Sequence, residues 1–134
     1  MDRKPIILLV DDESHILHVV GLKLSGAGYR ILTAADGEEG LEAALAHHPD
    51  LIISDYQMPY MSGLELGARL GQRQETRRIP IVMLTARGFD LPRQQIEHAN
   101  VVDVISKPFS PRDILYRVDE LLGRESRTKR ETAS

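Results

Sequence analysis

Four short apolar runs that barely alternate with polar residues set the pattern of this chain: Ile6–Val10, Leu51–Ser54, Ile81–Leu84 and Val101–Ser106. Their β-branched and aliphatic content is that of strands covered on both faces. Tyr29–Thr33 reads as a further, weaker strand with no chemistry at its end. The segments between the runs carry helical spacing instead. Ser14 is placed to cap a helix bearing Ile16, Val19, Val20 and Leu24, which Gly26 and Gly28 end. Asp36 caps a second, with Leu41, Ala44 and Leu45 on one side, and Pro49 closes it. Met58–Gly63 is a turn, after which Leu64–Leu70 resumes helical spacing. Pro92 opens a poorly patterned helix to Ala99, and Ser110-Pro111 starts a last one striped by Ile114, Leu115, Val118, Leu121 and Leu122. Strand and helix alternate five times, which predicts an α/β fold: a parallel sheet with right-handed crossovers and helices on both faces.

Composition adds boundaries rather than detail. A chain of 134 residues suits one domain with a proper core. Net charge is −3, so neither nucleic acid nor a membrane surface is expected as a direct partner. With no cysteine there are no disulfides or thiolate metal sites, and a cytoplasmic setting is expected. The apolar stretch after Met1-Asp2-Arg3-Lys4-Pro5 is interrupted by two aspartates, too soon for a signal peptide or for a membrane span of ~20 residues. Residues 1–122 are expected to form the domain. Residues 123–134, without an apolar anchor, are expected to form a polar tail or linker stub.

Chemistry gathers at the ends of the apolar runs. Asp11-Asp12, Asp55, Thr85 and Lys107 each follow one run. In open α/β sheets ligands sit beyond the carboxyl ends of the strands. Three carboxylates there need a cation. Mg²⁺, which takes hard oxygen ligands and keeps several waters, is the natural candidate. Lys107 supplies further positive charge. A carboxylate can also act as a nucleophile and form an acyl phosphate. Asp55 stands alone on its run and is the best nucleophile, while Asp11 and Asp12 read as a metal-holding pair. Thr85 offers its hydroxyl to an attached phosphoryl group. Taken singly, each residue has a plainer role: Asp11-Asp12 as a helix cap, Asp55 as a turn residue, Thr85 as a cap, Lys107 as a solvated side chain. It is their joint placement that the plainer roles fail to explain. His47 and His48 suit a helix end, and His18 and His98 carry no stronger signal; His15 lies near the acidic pair, where it can modulate the site.

Val10-Asp11-Asp12-Glu13, Asp55-x-x-Met58-Pro59-x-Met61-Ser62-Gly63, Leu84-Thr85-Ala86 and Lys107-Pro108-Phe109 together resemble the receiver domain of bacterial two-component response regulators. The resemblance runs from about residue 5 to 122. It implies a flavodoxin-like (CheY-like) doubly wound five-stranded sheet of order 2-1-3-4-5 with five helices. It also implies phosphotransfer to an aspartate from a histidine kinase or histidine phosphotransfer protein, with self-catalysed transfer and autodephosphorylation. By position, Asp55 resembles the phosphoacceptor. Asp12 would ligate Mg²⁺ directly, Asp11 largely through water, and Gln57 through its backbone carbonyl. Thr85 resembles the switch hydroxyl with the Ala86 amide beside it, Lys107 would contact the phosphoryl oxygens, and the peptide before Pro108 would be cis.

The output face, also the site of a possible homodimer, would be the fourth helix, fifth strand and fifth helix, Pro92 to Leu122. No output segment follows Leu122, so a downstream protein target or a further domain would read the signal. The chain departs from the family at Val104, where Tyr or Phe usually couples to the Thr85 hydroxyl, and at Asn100, where glycine is common. Tyr56 and Arg87 are expected to partly cover the site. Two other functions fit less of the chain: an interaction module indifferent to phosphorylation, and a phosphatase with an aspartyl-phosphate intermediate.

Overall fold

The computed structural model describes residues 4–86, 96 and 99–123. In chain order these form β1 (Ile6–Val10), α1 (Ser14–Gly26), β2 (Arg30–Ala34), α2 (Gly37–His47), β3 (Leu51–Asp55), α3 (Gly63–Gly71), β4 (Ile81–Thr85), β5 (Val101–Ser106) and α4 (Pro111–Leu121). The sheet has the order β2-β1-β3-β4-β5, and every neighbouring pair is parallel. Four helices lie among the described residues where five were expected. The missing one, from Pro92 to Ala99, falls mostly outside them; Ile96 is helical, and Ala99 and Asn100 form a turn.

Every residue of β1, β3 and β4 is buried, as unbroken apolar runs require. Alternation along each strand divides the core into two. Ile7, Leu9, Ile53, Val82 and Leu84 pack against Val20 and Leu24 of α1 and Ile114 and Val118 of α4. Leu8, Val10, Ile52, Ile81 and Met83 pack against Ala44 of α2 and Leu64, Leu66 and Leu70 of α3. The last run corrects the reading of two covered faces. β5 is an edge strand whose burial alternates, with Val102 and Val104 left 44% and 40% exposed.

Of the caps read from the sequence, Asp36 and Ser110 hold and Ser14 does not, and Ser62 adds one that was read only as part of a turn. Asp36 accepts from the Glu39 N–H at 2.8 Å and Ser62 from the Glu65 N–H at 3.1 Å. Ser110 and Asp113 form a reciprocal capping box ahead of α4, with Pro111 in its first turn. At α1, however, Ser14 is already helical and Glu13 is the cap, without a side-chain bond of its own. Asp11 reaches forward instead, accepting from the Glu13 N–H at 2.9 Å. Nor does Pro49 alone end α2: His48 does so in the left-handed region, at φ 48°.

Candidate functional site

The sheet order reverses around β1, which lies between β2 and β3, so the crevice falls beyond the carboxyl ends of β1 and β3. Backbone bonds continue the ladder past the strand ends and fix each chemical residue. The Asp11 N–H donates to Ala34 O at 3.1 Å, Tyr56 N–H to Leu84 O at 2.8 Å, and Lys107 N–H to Thr85 O at 2.7 Å. Asp55 and Thr85 are themselves the last residues of β3 and β4. The Lys107–Pro108 peptide is cis.

Residues far apart in sequence therefore meet. One carboxylate oxygen from each of Asp11, Asp12 and Asp55 lies within 4.8 Å of the others. Lys107 Nζ stands 3.2 Å from Asp55 Oδ1 and 3.3 Å from Glu13 Oε1. Asp11, Asp55 and Thr85 are buried, whereas Asp12 is exposed. Gln57 and Ala86 sit exposed in the loops leaving β3 and β4. The turn after Gln57 carries Tyr60 outward at φ 69° and returns Met61 to the core.

Gly63 lets this turn close. Its N–H donates to Tyr56 O at 2.9 Å, and a Cβ there would lie 2.5 Å from the Asp55 carbonyl oxygen and 2.5 Å from Met83 Sδ. Val104, expected in the switch, pairs with Met83 in the sheet and faces outward. His15, His18, His47 and His48 are exposed on helix surfaces or ends. Arg87 and His98 lie outside the described residues.

Three buried side-chain atoms have no hydrogen-bond partner among the described residues, and two of them, Asp11 Oδ2 and Thr85 Oγ1, lie at this site. Such atoms are costly unless something completes them. A hard-oxygen cluster with an orphaned carboxylate oxygen, and no histidine or cysteine in it, fits Mg²⁺. The hydroxyl of Thr85, aligned with the same sheet edge, has no acceptor among the described residues. Glu13 is the residue that sequence reasoning passed over; quoted only as part of the motif, it proves to share Lys107. Its place directly after two aspartates was the available signal.

Electrostatics matches this crowding. Burial lifts Asp11 to about 6, opposed by the Glu13 N–H and aided by the charge of Asp55. Burial likewise pushes Asp55 above the usual carboxylate range, although Lys107 opposes it. Burial alone would lower Lys107, but Asp55 and Asp11 outweigh it and hold the ammonium above its ordinary value.

These shifts set a pH dependence for the metal-free protein. A carboxyl group raised from 3.8 to about 6 binds protons more tightly in the folded state. Its stabilising contribution is complete below 3.8 and is lost as pH rises through about 6. The shift corresponds to at most about 3 kcal/mol. Thermal unfolding in chelator is expected to show melting temperature falling as pH rises from about 4 to 7. Asp11→Asn should flatten that slope; an equal slope in the variant would remove Asp11 as its source.

Comparisons with known proteins agree with this fold. The family model described as response regulator receiver domain matches residues 7–119. The chain is 39% identical over 118 residues to the alkaline phosphatase synthesis transcriptional regulatory protein PhoP of Bacillus subtilis, covering 88% of this chain and 48% of that protein. It is equally 39% identical to the phosphate regulon transcriptional regulatory protein PhoB of Pseudomonas aeruginosa, over 88% of this chain and 52% of the relative. The chain thus spans about half the length of the curated relatives it matches. Among solved structures, the chemotaxis response regulator CheY4 of Vibrio cholerae superposes with a TM-score of 0.81 at 33% identity, over 89% of this chain and 99% of that one. The receiver domain of a sensor histidine kinase from Pseudomonas aeruginosa, solved with a magnesium ion coordinated in its active site cleft, gives 0.80 at 27% identity, over 90% and 99%.

Proposed function

The chain belongs to the response regulator receiver domain family, and from that membership we propose that it accepts a phosphoryl group on Asp55 from a phosphohistidine of a histidine kinase or histidine phosphotransfer protein. The observation that carries this reading is Asp55 itself, a buried carboxylate facing Asp11, Asp12 and the Lys107 ammonium. In the transfer, an ionised Asp55 oxygen forms a bond to phosphorus as the phosphorus–nitrogen bond of the donor breaks. The departing imidazole takes a proton from solvent. Lys107 meets the charge on the phosphoryl oxygens, and the Thr85 hydroxyl and Ala86 N–H donate to them once the group is attached. Asp11, Asp12, Asp55 and the Gln57 carbonyl would hold Mg²⁺. Bound there, the ion supplies positive charge against the transferring oxygens.

The domain corresponds to residues 1–122. Its switch changes a face built from the Pro92–Ala99 segment, β5 and α4. A downstream protein or an output domain reads that face, and a second copy of the chain can occupy it. Some relatives are named transcriptional regulators, so the expectation of no nucleic-acid contact is kept for this domain alone. Among the described residues no helix is long and apolar enough to cross a membrane, and a cytoplasmic setting is part of the proposal.

Lys107→Ala is expected to slow labelling by acetyl phosphate by ~10²-fold, the scale on which loss of one preorganised charge donor falls. Chelation of the metal should abolish the labelling. Undiminished labelling in either case would reject these roles. One observation favours a second reading, an interaction module indifferent to phosphorylation: Val104 is 40% exposed and is no aromatic lever. Beryllofluoride with Mg²⁺ separates the two. Shifts of β5 and α4 amide resonances support the switch, and unmoved resonances support the module.

A further inference from the structure

Lys107 is divided between two carboxylates. Its ammonium lies 3.2 Å from Asp55 Oδ1 and 3.3 Å from Glu13 Oε1. The three side chains run from the interior to the rim, being 7% exposed at Asp55, 26% at Lys107 and 59% at Glu13. Glu13 also springs from a fixed point. Its N–H donates to Asp11 Oδ1 at 2.9 Å, and its carbonyl accepts from Ile16 and Leu17 at 3.1 and 3.3 Å in the first turn of α1.

An ammonium is a compact charge on a flexible stem. The ammonium already pairs with Asp55 at 3.2 Å, and without a second partner it would settle wholly onto the carboxylate that has to attack. There it would neutralise the nucleophile and occupy space that the incoming oxygens need. A second carboxylate at the rim pulls it outward. We propose that Glu13 is a positioning residue, holding the Lys107 ammonium at the mouth of the site, where phosphoryl oxygens arrive. The proposal rests on the reading of Asp55 as phosphoacceptor. An exposed pair of this kind adds little to stability, so its deletion acts through geometry.

The test is a double-mutant cycle on labelling rates with acetyl phosphate and Mg²⁺. Glu13→Ala should label ~10-fold more slowly, as expected for a misplaced catalytic group. Glu13→Gln, whose amide oxygen still accepts from the ammonium, should stay within about threefold of wild type. In a Lys107→Ala background, Glu13→Ala should change nothing further. The direction is diagnostic: merely removing a rim negative charge would speed the approach of an anionic donor. Rates at or above wild type for Glu13→Ala, or equal slowing without Lys107, overturn the proposal.

A second readout needs no phosphodonor. The ¹⁵N resonance of the Lys107 ammonium in metal-free protein should move in Glu13→Ala and return toward wild type in Glu13→Gln. An unmoved resonance also overturns the proposal. If wild type takes up no phosphoryl group while the resonance moves as expected, the phosphoacceptor reading fails and the placement of Lys107 by Glu13 stands.

Discussion

Asp55→Asn is expected to take up no phosphoryl group from acetyl phosphate and Mg²⁺, and its metal-free fold is expected to melt at a higher temperature than wild type. Both results follow from the environment of this one carboxylate. Removal of a nucleophile leaves no oxygen to form the acyl phosphate, and a fall of at least ~10³-fold in labelling is expected. The gain in stability has the opposite origin. Burial disfavours the ionised form of Asp55, and Lys107 only partly offsets it. An amide of the same shape removes that penalty and still leaves Lys107 its pair with Glu13. The fold is thus less stable for keeping a reactive carboxylate in this position, a trade familiar at functional sites. Labelling rates and chelated thermal melts of the same two proteins check both halves. A variant that labels normally, or one that melts below wild type, would contradict the account.

Gly63→Ala is expected to have the largest effect on the fold's integrity at the site. The new Cβ would stand 2.5 Å from the Asp55 carbonyl oxygen, 2.5 Å from Met83 Sδ and 3.2 Å from Ser54 Oγ. Met83 could turn away, but the backbone carbonyl cannot move without dragging Asp55. Overpacking of this kind destabilises by about 2–3 kcal/mol, and in a domain of this size the melting temperature falls on the order of 10 °C. Labelling should slow as well, because the strand end that aims the nucleophile is displaced. Gly26→Ala is the matched control. Nothing lies within 4 Å of its would-be Cβ at the end of α1, so little change is expected. Equal melting temperatures for the two alanine variants would show that the close approach at Gly63 carries no strain.

Much of the site was legible because each chemical residue ends a recognisable apolar run. Asp11, Asp55, Thr85 and Lys107 needed only the parallel arrangement of β1, β3, β4 and β5 to meet, and the pairwise registers supply it. The sheet order itself was not in the periodicity; it came with the resemblance carried by the motifs around those residues.

What escaped the reading depends on contacts across the fold. β5 read as covered on both faces because Val101, Val102, Val104 and Ile105 are as apolar as β3, but its burial alternates and leaves Val102 and Val104 exposed. Asp103 was the overlooked sign: a charge in mid-strand, paired at 2.6 Å with Arg117 of α4. The cap of α1 was misplaced by one residue because Asp11, reserved for metal chemistry in the reading, also organises the turn through the Glu13 N–H. Tyr29 was read as the start of a strand. It is instead a buried residue whose hydroxyl donates to Asp119 at 2.5 Å, ninety residues further along the chain. No local pattern can announce such a pair.

The most direct measurement is the site of modification after exposure to acetyl phosphate and Mg²⁺, read by intact mass and then by peptide mapping. One phosphoryl group per chain, carried on the peptide that contains Asp55 and lost when the metal is chelated beforehand, is the predicted result. A group mapped to any other residue, or a chain that stays unmodified beside a competent control receiver, would contradict it.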